Sequence, residues 1–401
     1  MKILIFNHNR VWESSFHRGF YFARSLVNRG HEATVVTNSR KKLFYFKEYK
    51  YEGVRIVETP DLLFGQLRTG WDMVNALRRF LYVRHQEYDL IHAIDTRPTV
   101  ILPALWLKKR WQVPLTIDWL DWWGRGGAIT LRKNKILNGF FEPVETYFEE
   151  HFRQYADYTI TISTLLKKRA FSLGLPKEKI KVIFHGCDTQ SVQPIEKEKA
   201  RKALNINGYE NILLFSGFVL YDLRLLFNTF KHVLERSPKT LLLLTGSTNI
   251  FKDVQLKRWK GHKNIKSLGF LPKEKYACVL GAADLCILPL SDNLTNRARY
   301  PGKFGDYMAS GRPVVSNDVG DVGRLIKENK VGVLTESNPK SLANGIVELL
   351  ENRDLIDEMG ANARRLAEQE MSFDILSHEF ETVFKSLVKA PKLNGNSRNN
   401  S

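Results

Sequence analysis

The feature that most constrains the fold is a sustained alternation of short apolar runs, rich in β-branched residues, with longer segments of helical period. Runs that are apolar throughout suit strands buried on both faces, and the intervening helices supply the crossovers that parallel strands need. The pattern predicts strands at Lys2–Phe6, Ala33–Thr37, Val54–Glu58, Leu90–His92, Leu115–Asp118, Tyr158–Ile162 and Ile180–Phe184, with Phe16–Asn28 a helix closed by Gly30. A second series runs through Ile212–Ser216, Thr240–Leu244, Ile265–Leu268, Leu285–Leu288, Pro313–Ser316 and Val331–Leu334. A polar stretch with Pro194 and the run Glu196-Lys197-Glu198-Lys199 separates the two series. Residues 339–389 carry no strand signal and read as the helices Ser341–Glu351, Arg353–Glu370 and Phe373–Lys389.

The expected fold is therefore α/β, with two doubly wound, Rossmann-like parallel-sheet domains facing a central cleft and helices at the C-terminus. The first domain is expected over 1–188, a linker over 189–209 and the second domain over 210–372. A helix over 373–389 should pack back on the first domain, and 390–401 should be a disordered tail. Ligands of such sheets sit beyond the carboxyl ends of the strands, so two facing domains enclose one cleft suited to a two-substrate enzyme.

Composition excludes several classes. A chain of 401 residues, 43% hydrophobic and 26% charged, is neither a disordered chain nor a disulfide-stapled miniprotein. Cys187, Cys278 and Cys286 form no C-x-x-C pair, which fits a reducing compartment. The N-terminus lacks a signal-peptide core, and no apolar run reaches the ~18 residues that span a bilayer. The chain is read as cytoplasmic, with any membrane contact peripheral and at the inner face.

The formal charge is +18, and a negatively charged partner is expected. Residues 1–200 hold 32 basic and 21 acidic side chains, whereas residues 301–401 hold 13 and 15. The excess falls in clusters such as Arg40-Lys41-Lys42, Lys108-Lys109-Arg110, Arg132-Lys133-Asn134-Lys135 and Lys167-Lys168-Arg169, each also readable as a solvated helix face. No nucleic-acid-binding module accompanies them, so no nucleic-acid partner is expected.

The segment Asn296 to Val315 carries the most chemistry. Pro301 pre-sets the first turn of a helix, Gly311 caps its end and Pro313 opens a strand. Free backbone N–H groups at Gly302 and Lys303 would meet phosphate, with Arg297, Arg299 and Lys303 crowded around them. Lys303 and Asp306 share a helix face, giving a cation for a diphosphate and an acceptor for sugar hydroxyls. An ordinary capped helix would explain Pro and Gly without this crowding. In the first domain, Asp118 and Asp121 could position an acceptor hydroxyl. Trp119 and Trp122 form either an acceptor-side platform or core packing, and His8 points toward the cleft or is structural.

These residues resemble the retaining glycosyltransferases of family 4, which have the GT-B fold. Pro301 to Val315 matches that family's P-x-K-x-x-E-Y-M-A-x-G-x-P-V-V pattern, with Asp306 in place of Glu. Arg29 to Thr37, Asp89 to Ala93, Lys179 to Asp188 and Ala283 to Pro289 match further family segments in the same order. The resemblance implies a nucleoside-diphosphate-sugar donor held mostly by the second domain and an acceptor held by the first.

On that resemblance the donor site comprises Ser216, Gly217, Arg224, Gly246, Phe270, Arg297, Gly302, Lys303 and Asp306. Asp118, Asp121, Lys303 and Arg299 are the catalytic candidates, and His8, Trp119 and Trp122 the acceptor-side ones. The resemblance implies a metal-independent hexosyl transfer with no cofactor beyond the donor. The basic, aromatic first domain suits an anionic membrane face, from which a lipid-linked or growing surface saccharide acceptor, in cell-surface polysaccharide or glycolipid synthesis, is expected. The chain also departs from the pattern. Ala298 stands where the family has its first Glu, the family's Arg and Lys-Gly fall at Phe218 and near Tyr221-Asp222, and its first-loop Gly-Gly falls at Ser14-Ser15. A GT-B sugar-nucleotide epimerase and a non-catalytic nucleotide-sugar-binding member are the alternative readings.

Overall fold

The structure is a computed structural model that describes residues 1–40, 44–60, 70–132, 134–217, 220–246 and 248–388. The expected tail at 390–401, together with Lys41, Lys42, Lys133, Phe218 and Ser247, lies outside the described residues.

Among the described residues, the first unit is one eight-stranded sheet. Its strands are β1 (Lys2–Arg10), β2 (Glu32–Asn38), β3 (Lys47–Tyr51), β4 (Val54–Thr59), β5 (Leu90–Ile94), β6 (Leu115–Trp119), β7 (Tyr158–Thr161) and β8 (Ile180–Val182). They lie in the order β3-β4-β2-β1-β5-β6-β7-β8. The second unit is a six-stranded sheet of β9 (Asn211–Ser216), β10 (Thr240–Thr245), β11 (Ile265–Ser267), β12 (Leu285–Leu288), β13 (Val314–Asn317) and β14 (Gly332–Thr335). Its order is β11-β10-β9-β12-β13-β14. All described pairings are parallel except β3 with β4. The hydrophobic pattern misses β3, whose sequence Lys-Glu-Tyr-Lys-Tyr is an exposed edge with no apolar face to bury.

Alternation along the central strands explains the layered packing. Ile3 and Ile5 of β1 join a core containing Phe16, Phe20 and Leu26 from the Ser15–Asn28 helix, whereas Leu4 and Phe6 join Val100, Ile101 and Ala104 from the Pro98–Trp111 helix. The same division recurs in β9: Leu213 and Phe215 pack with Phe227, Phe230 and Ile346, and Ile212 and Leu214 face the opposite layer. Burying both faces is what an uninterrupted apolar run achieves in a parallel sheet.

The chain crosses between the units at two adjacent places. The Cys187 N–H donates to the Met371 carbonyl at 2.8 Å, and the Phe373 N–H donates to the Cys187 carbonyl at 3.0 Å. Thr164 adds a direct tie, its N–H and hydroxyl each donating to Asp321 at 2.8 Å. Beyond the second crossing, the Phe373–Val388 helix packs on the Ser15–Asn28 helix of the first unit. The Phe22 and Phe380 rings lie 4.2 Å apart, and the Ser25 hydroxyl donates to Asp374 at 2.6 Å. Within the stretch read as a linker, the Lys197–Ala203 helix packs on the second unit, where Arg201 donates to Asp284 at 2.6 Å.

Strand order reverses between β1 and β5 in the first sheet and between β9 and β12 in the second. Such reversals leave a crevice at the strands' carboxyl ends, because the following helices diverge to opposite faces. The two crevices open onto one shared space.

Candidate active site

That space is a cavity of about 600 Å³ lined from both units. The first unit contributes His8 from the end of β1, Asp95 and Arg97 after β5, and Asp121 and Trp123 after β6. The second contributes Lys273 and Tyr276, then Gly302, Lys303 and Asp306 from the helix Gly302–Ala309. Pro301 is the N-cap of this helix, so its first free N–H groups open toward the cavity.

Two glycines allow the close fit behind Lys303. Gly217 has a φ of 146°, and a Cβ there would come within 2.6 Å of the Lys303 amine. Gly246, with a φ of 110°, lies so close that its Cβ would meet the Gly217 carbonyl oxygen at 2.8 Å. The Lys303 amine rests 4.0 Å from the Phe215 ring centroid. Gly302 abuts the first unit: a Cβ would meet the His185 ring at 2.8 Å.

The electrostatics follow from enclosure. Burial pushes Lys303 down to about 7, opposed by the attraction of Asp222. Burial likewise raises Asp306 to about 7, although the Tyr276 hydroxyl donates to it at 3.2 Å. Thr245 donates to the Ser216 hydroxyl at 2.9 Å and Ser216 in turn donates to the Tyr276 oxygen at 3.2 Å, tying the end of β9 to Asp306. Across the cavity, burial and then the Asp121 charge lift Asp95 to about 7. Burial also raises Asp121 and lowers His8, whose Nδ1 is 3.8 Å from Asp95. One wall thus holds Lys303 and Asp306 and the opposite wall Asp95 and Asp121, with Lys303, Asp306 and Asp95 titrating near neutrality.

The structure brings His8, Asp121, Gly302, Lys303 and Asp306 to the cavity and places Ser216, Gly217 and Gly246 directly behind Lys303. Several sequence candidates lie elsewhere. Asp118 is fully buried beneath the site and receives Arg18 at 2.6 and 3.1 Å. Burial opposes its ionisation, but Arg18 and then His92 hold the carboxyl below its ordinary range. Trp119 is core: its indole donates to the Asp121 carbonyl and Glu149, and Arg153 stacks on it at 3.7 Å. Trp122 is covered by Arg169 at 3.7 Å, and the tryptophan at the cavity is Trp123, on which Arg97 stacks at 4.5 Å.

Arg297 turns outward into a two-point pair with Asp292, and Arg224 pairs with Asp253 at 2.8 Å. Phe270 is 79% exposed, leaving its neighbour Leu271 on the cavity wall. Arg299 is ion-paired with buried Asp222, and its charge reaches Asp121. Sequence reading missed Arg97, Lys273, Tyr276, His185 and Asp188. Asp188 follows the first unit, where Arg24 and Lys273 approach it at 3.2 and 3.5 Å. Position directly after a predicted strand was the available signal for His185; Arg97 lies in the loop beyond β5, just before the Pro98–Trp111 helix.

Two doubly wound units with facing crevices and one shared cavity have the architecture of GT-B glycosyltransferases. Sucrose-phosphate synthase from Thermosynechococcus elongatus superposes with a TM-score of 0.74 at 16% identity, over 96% of this chain and 98% of that one. HepE from Anabaena, solved with UDP-glucose, gives 0.71 at 17% identity, over 96% and 100%. Two family models match in tandem, Glycosyltransferase Family 4 over residues 20–191 and Glycosyl transferases group 1 over 210–352. The chain belongs to this glycosyltransferase family.

An uncharacterized glycosyltransferase of Methanocaldococcus jannaschii, MJ1607, is 25% identical over 90% of this chain and 92% of its own length. A chitobiosyldiphosphodolichol beta-mannosyltransferase of Candida albicans is 26% identical over 68% of this chain and 62% of its own. Among the described residues, no helix is long and apolar enough to cross a membrane.

Proposed function

We propose that this glycosyltransferase moves a hexosyl group from a nucleoside-diphosphate sugar to a saccharide or lipid-linked acceptor with retention of configuration. The observation that carries the reading is the pairing, across one cavity, of Lys303 at a helix N-terminus with the carboxyl groups of Asp95 and Asp121. The diphosphate sits at Gly302 and Lys303, where N–H groups and a cation meet its charge. Asp306 accepts from sugar or ribose hydroxyls. Arg299, held by Asp222, supplies a second cation toward the leaving group.

The acceptor enters from the His8 and Asp121 side. Its hydroxyl attacks the anomeric carbon on the face that the diphosphate leaves; the bond to the diphosphate oxygen breaks, and that oxygen takes the hydroxyl proton. The protein contributes position and fixed charge rather than a nucleophile. Cations that offset the leaving charge make a metal unnecessary. Relatives named for a diphosphodolichol-linked substrate favour a lipid-linked acceptor; we assign it to surface polysaccharide or glycolipid synthesis at the inner face of an anionic membrane, from the basic balance of the chain.

Retention and metal independence are tested together by following slow donor hydrolysis by proton NMR, with and without EDTA. An α-linked donor should release the α-sugar first, at a rate EDTA leaves unchanged. Initial release of the β-sugar would overturn retention, and loss of turnover in EDTA would overturn metal independence. Turnover to an epimerised donor would favour the epimerase reading.

A further inference from the structure

We propose that two helices of the first unit form a docking face for a bilayer containing anionic lipid, placed so that the cavity opens at the membrane surface. The inference rests on the lipid-linked-acceptor reading and identifies the surface that serves it. In the helix Met73–Val83, the residues turned outward are Met73, Val74, Leu77 and Leu81, each between 43% and 52% exposed. Its polar residues Asn75 and Arg79 are buried instead. In the helix Lys135–His151, Ile136 and Phe140 stand 83% and 82% exposed, and Val144 and Tyr147 continue the same stripe. This inverts an ordinary surface helix, which puts its apolar face inward.

The charges fit an anionic bilayer rather than another apolar protein face. Three of the second helix's four acids are held in ion pairs with the first unit's own arginines: Glu145 with Arg132, and Glu149 and Glu150 with Arg169, while Glu142 is half-buried. Lys135 stands exposed beside Ile136, and Lys109 and Arg110 are exposed on the neighbouring Pro98–Trp111 helix, whose Trp106 meets Phe80 edge-to-face at 5.6 Å. Apolar side chains flanked by cations are what an interfacial helix presents to anionic headgroups.

Both helices connect directly to the cavity wall. Gly70, just before the first, is packed so closely that a Cβ would meet His8 and Arg97 at 2.8 Å. In the second, Thr146 accepts from the Arg125 N–H at 2.9 Å, and Glu149 accepts from the Gly124 N–H at 2.5 Å, holding the loop that carries Trp123. Beneath the two stripes, Trp71, just before the first helix, packs edge-on against Phe148 of the second, ring centroids 5.3 Å apart. A lipid chain lying in the bilayer would therefore deliver its headgroup to the acceptor side of the cavity.

The test is flotation of the full chain with phosphatidylglycerol–phosphatidylcholine vesicles and with phosphatidylcholine vesicles, for wild type and the double variant Leu77→Asp, Phe140→Asp. Wild type should float only with the anionic vesicles, and the variant should lose at least ~10-fold of the bound fraction. Its melting temperature and its donor-induced thermal shift should be unchanged, which separates failure of the docking face from failure of the transferase reading. Wild type remaining unbound, or the variant floating like wild type, would overturn the proposal. So would a wild-type dimer that the variant abolishes without any vesicle binding, since the face would then pair two copies.

Discussion

Replacing Lys303 with alanine is expected to weaken nucleotide-sugar donor binding on the order of 10- to 100-fold, the worth of a hydrogen bond to a charged group. The fold should survive. An enclosed amine held down at about 7 costs stability that builds as pH falls from the ordinary lysine range to about 7, where the unfolded chain alone binds the proton, and is fully present below it. Alanine removes that cost, and Gly217 behind it has no side chain to lose contact. Donor affinity of the wild type should fall as pH rises through about 7, as Lys303 discharges and Asp306 ionises in the same wall. Lys303→Arg keeps the cation and should make that fall shallower. Titration calorimetry at pH 6 and pH 8 reads each of these, and unchanged affinity in the alanine variant would remove Lys303 from the donor site.

The largest stability effect is expected at Asp118. Breaking a buried ion pair by removing one partner costs about 3–5 kcal/mol, because the other charge is left in the interior. Arg18 would be that charge: it is buried, bonded twice to Asp118, and donates its remaining N–H groups to the carbonyls of Phe184 and Ile183 at 2.8 and 2.9 Å. Asp118→Ala should lower the melting temperature by roughly 10 °C in a chain of this size. Donor affinity of the folded fraction should change only a few-fold. A stable protein with lost turnover would instead restore Asp118 to a chemical role.

Much of the architecture was legible because its cause is local. Strands such as β1 and β9 are buried on both faces, so their apolar runs stand out, and Pro301 with Gly311 brackets its helix by backbone chemistry alone. The edge strand β3 was hidden because an exposed edge needs no apolar face. Within the site, Lys303 and Asp306 were legible from spacing along one helix.

Cations whose partners are distant or unanticipated were not legible. The segment around Arg297 and Arg299 looks short of acids, yet Asp292 and Asp222 neutralise them, the second from 77 positions away. Asp118 lies within β6 and Asp121 two residues past its end, and only packing decides that one is sealed under Arg18 while the other reaches the cavity. Which tryptophan reaches the cavity was undecidable for the same reason: Trp119, the strand's last residue, packs into the core, and Trp123 reaches the cavity only after the loop turns outward.

The central claim is that one cavity between the two sheets binds a nucleoside-diphosphate sugar. Thermal shift of the purified chain with UDP-, GDP-, ADP- and dTDP-sugars tests it most directly, because a ligand that binds only the folded state raises its stability by mass action. At least one donor should raise the melting temperature by several degrees, with a smaller shift in Lys303→Ala. Absence of stabilisation by every donor in the panel would contradict it.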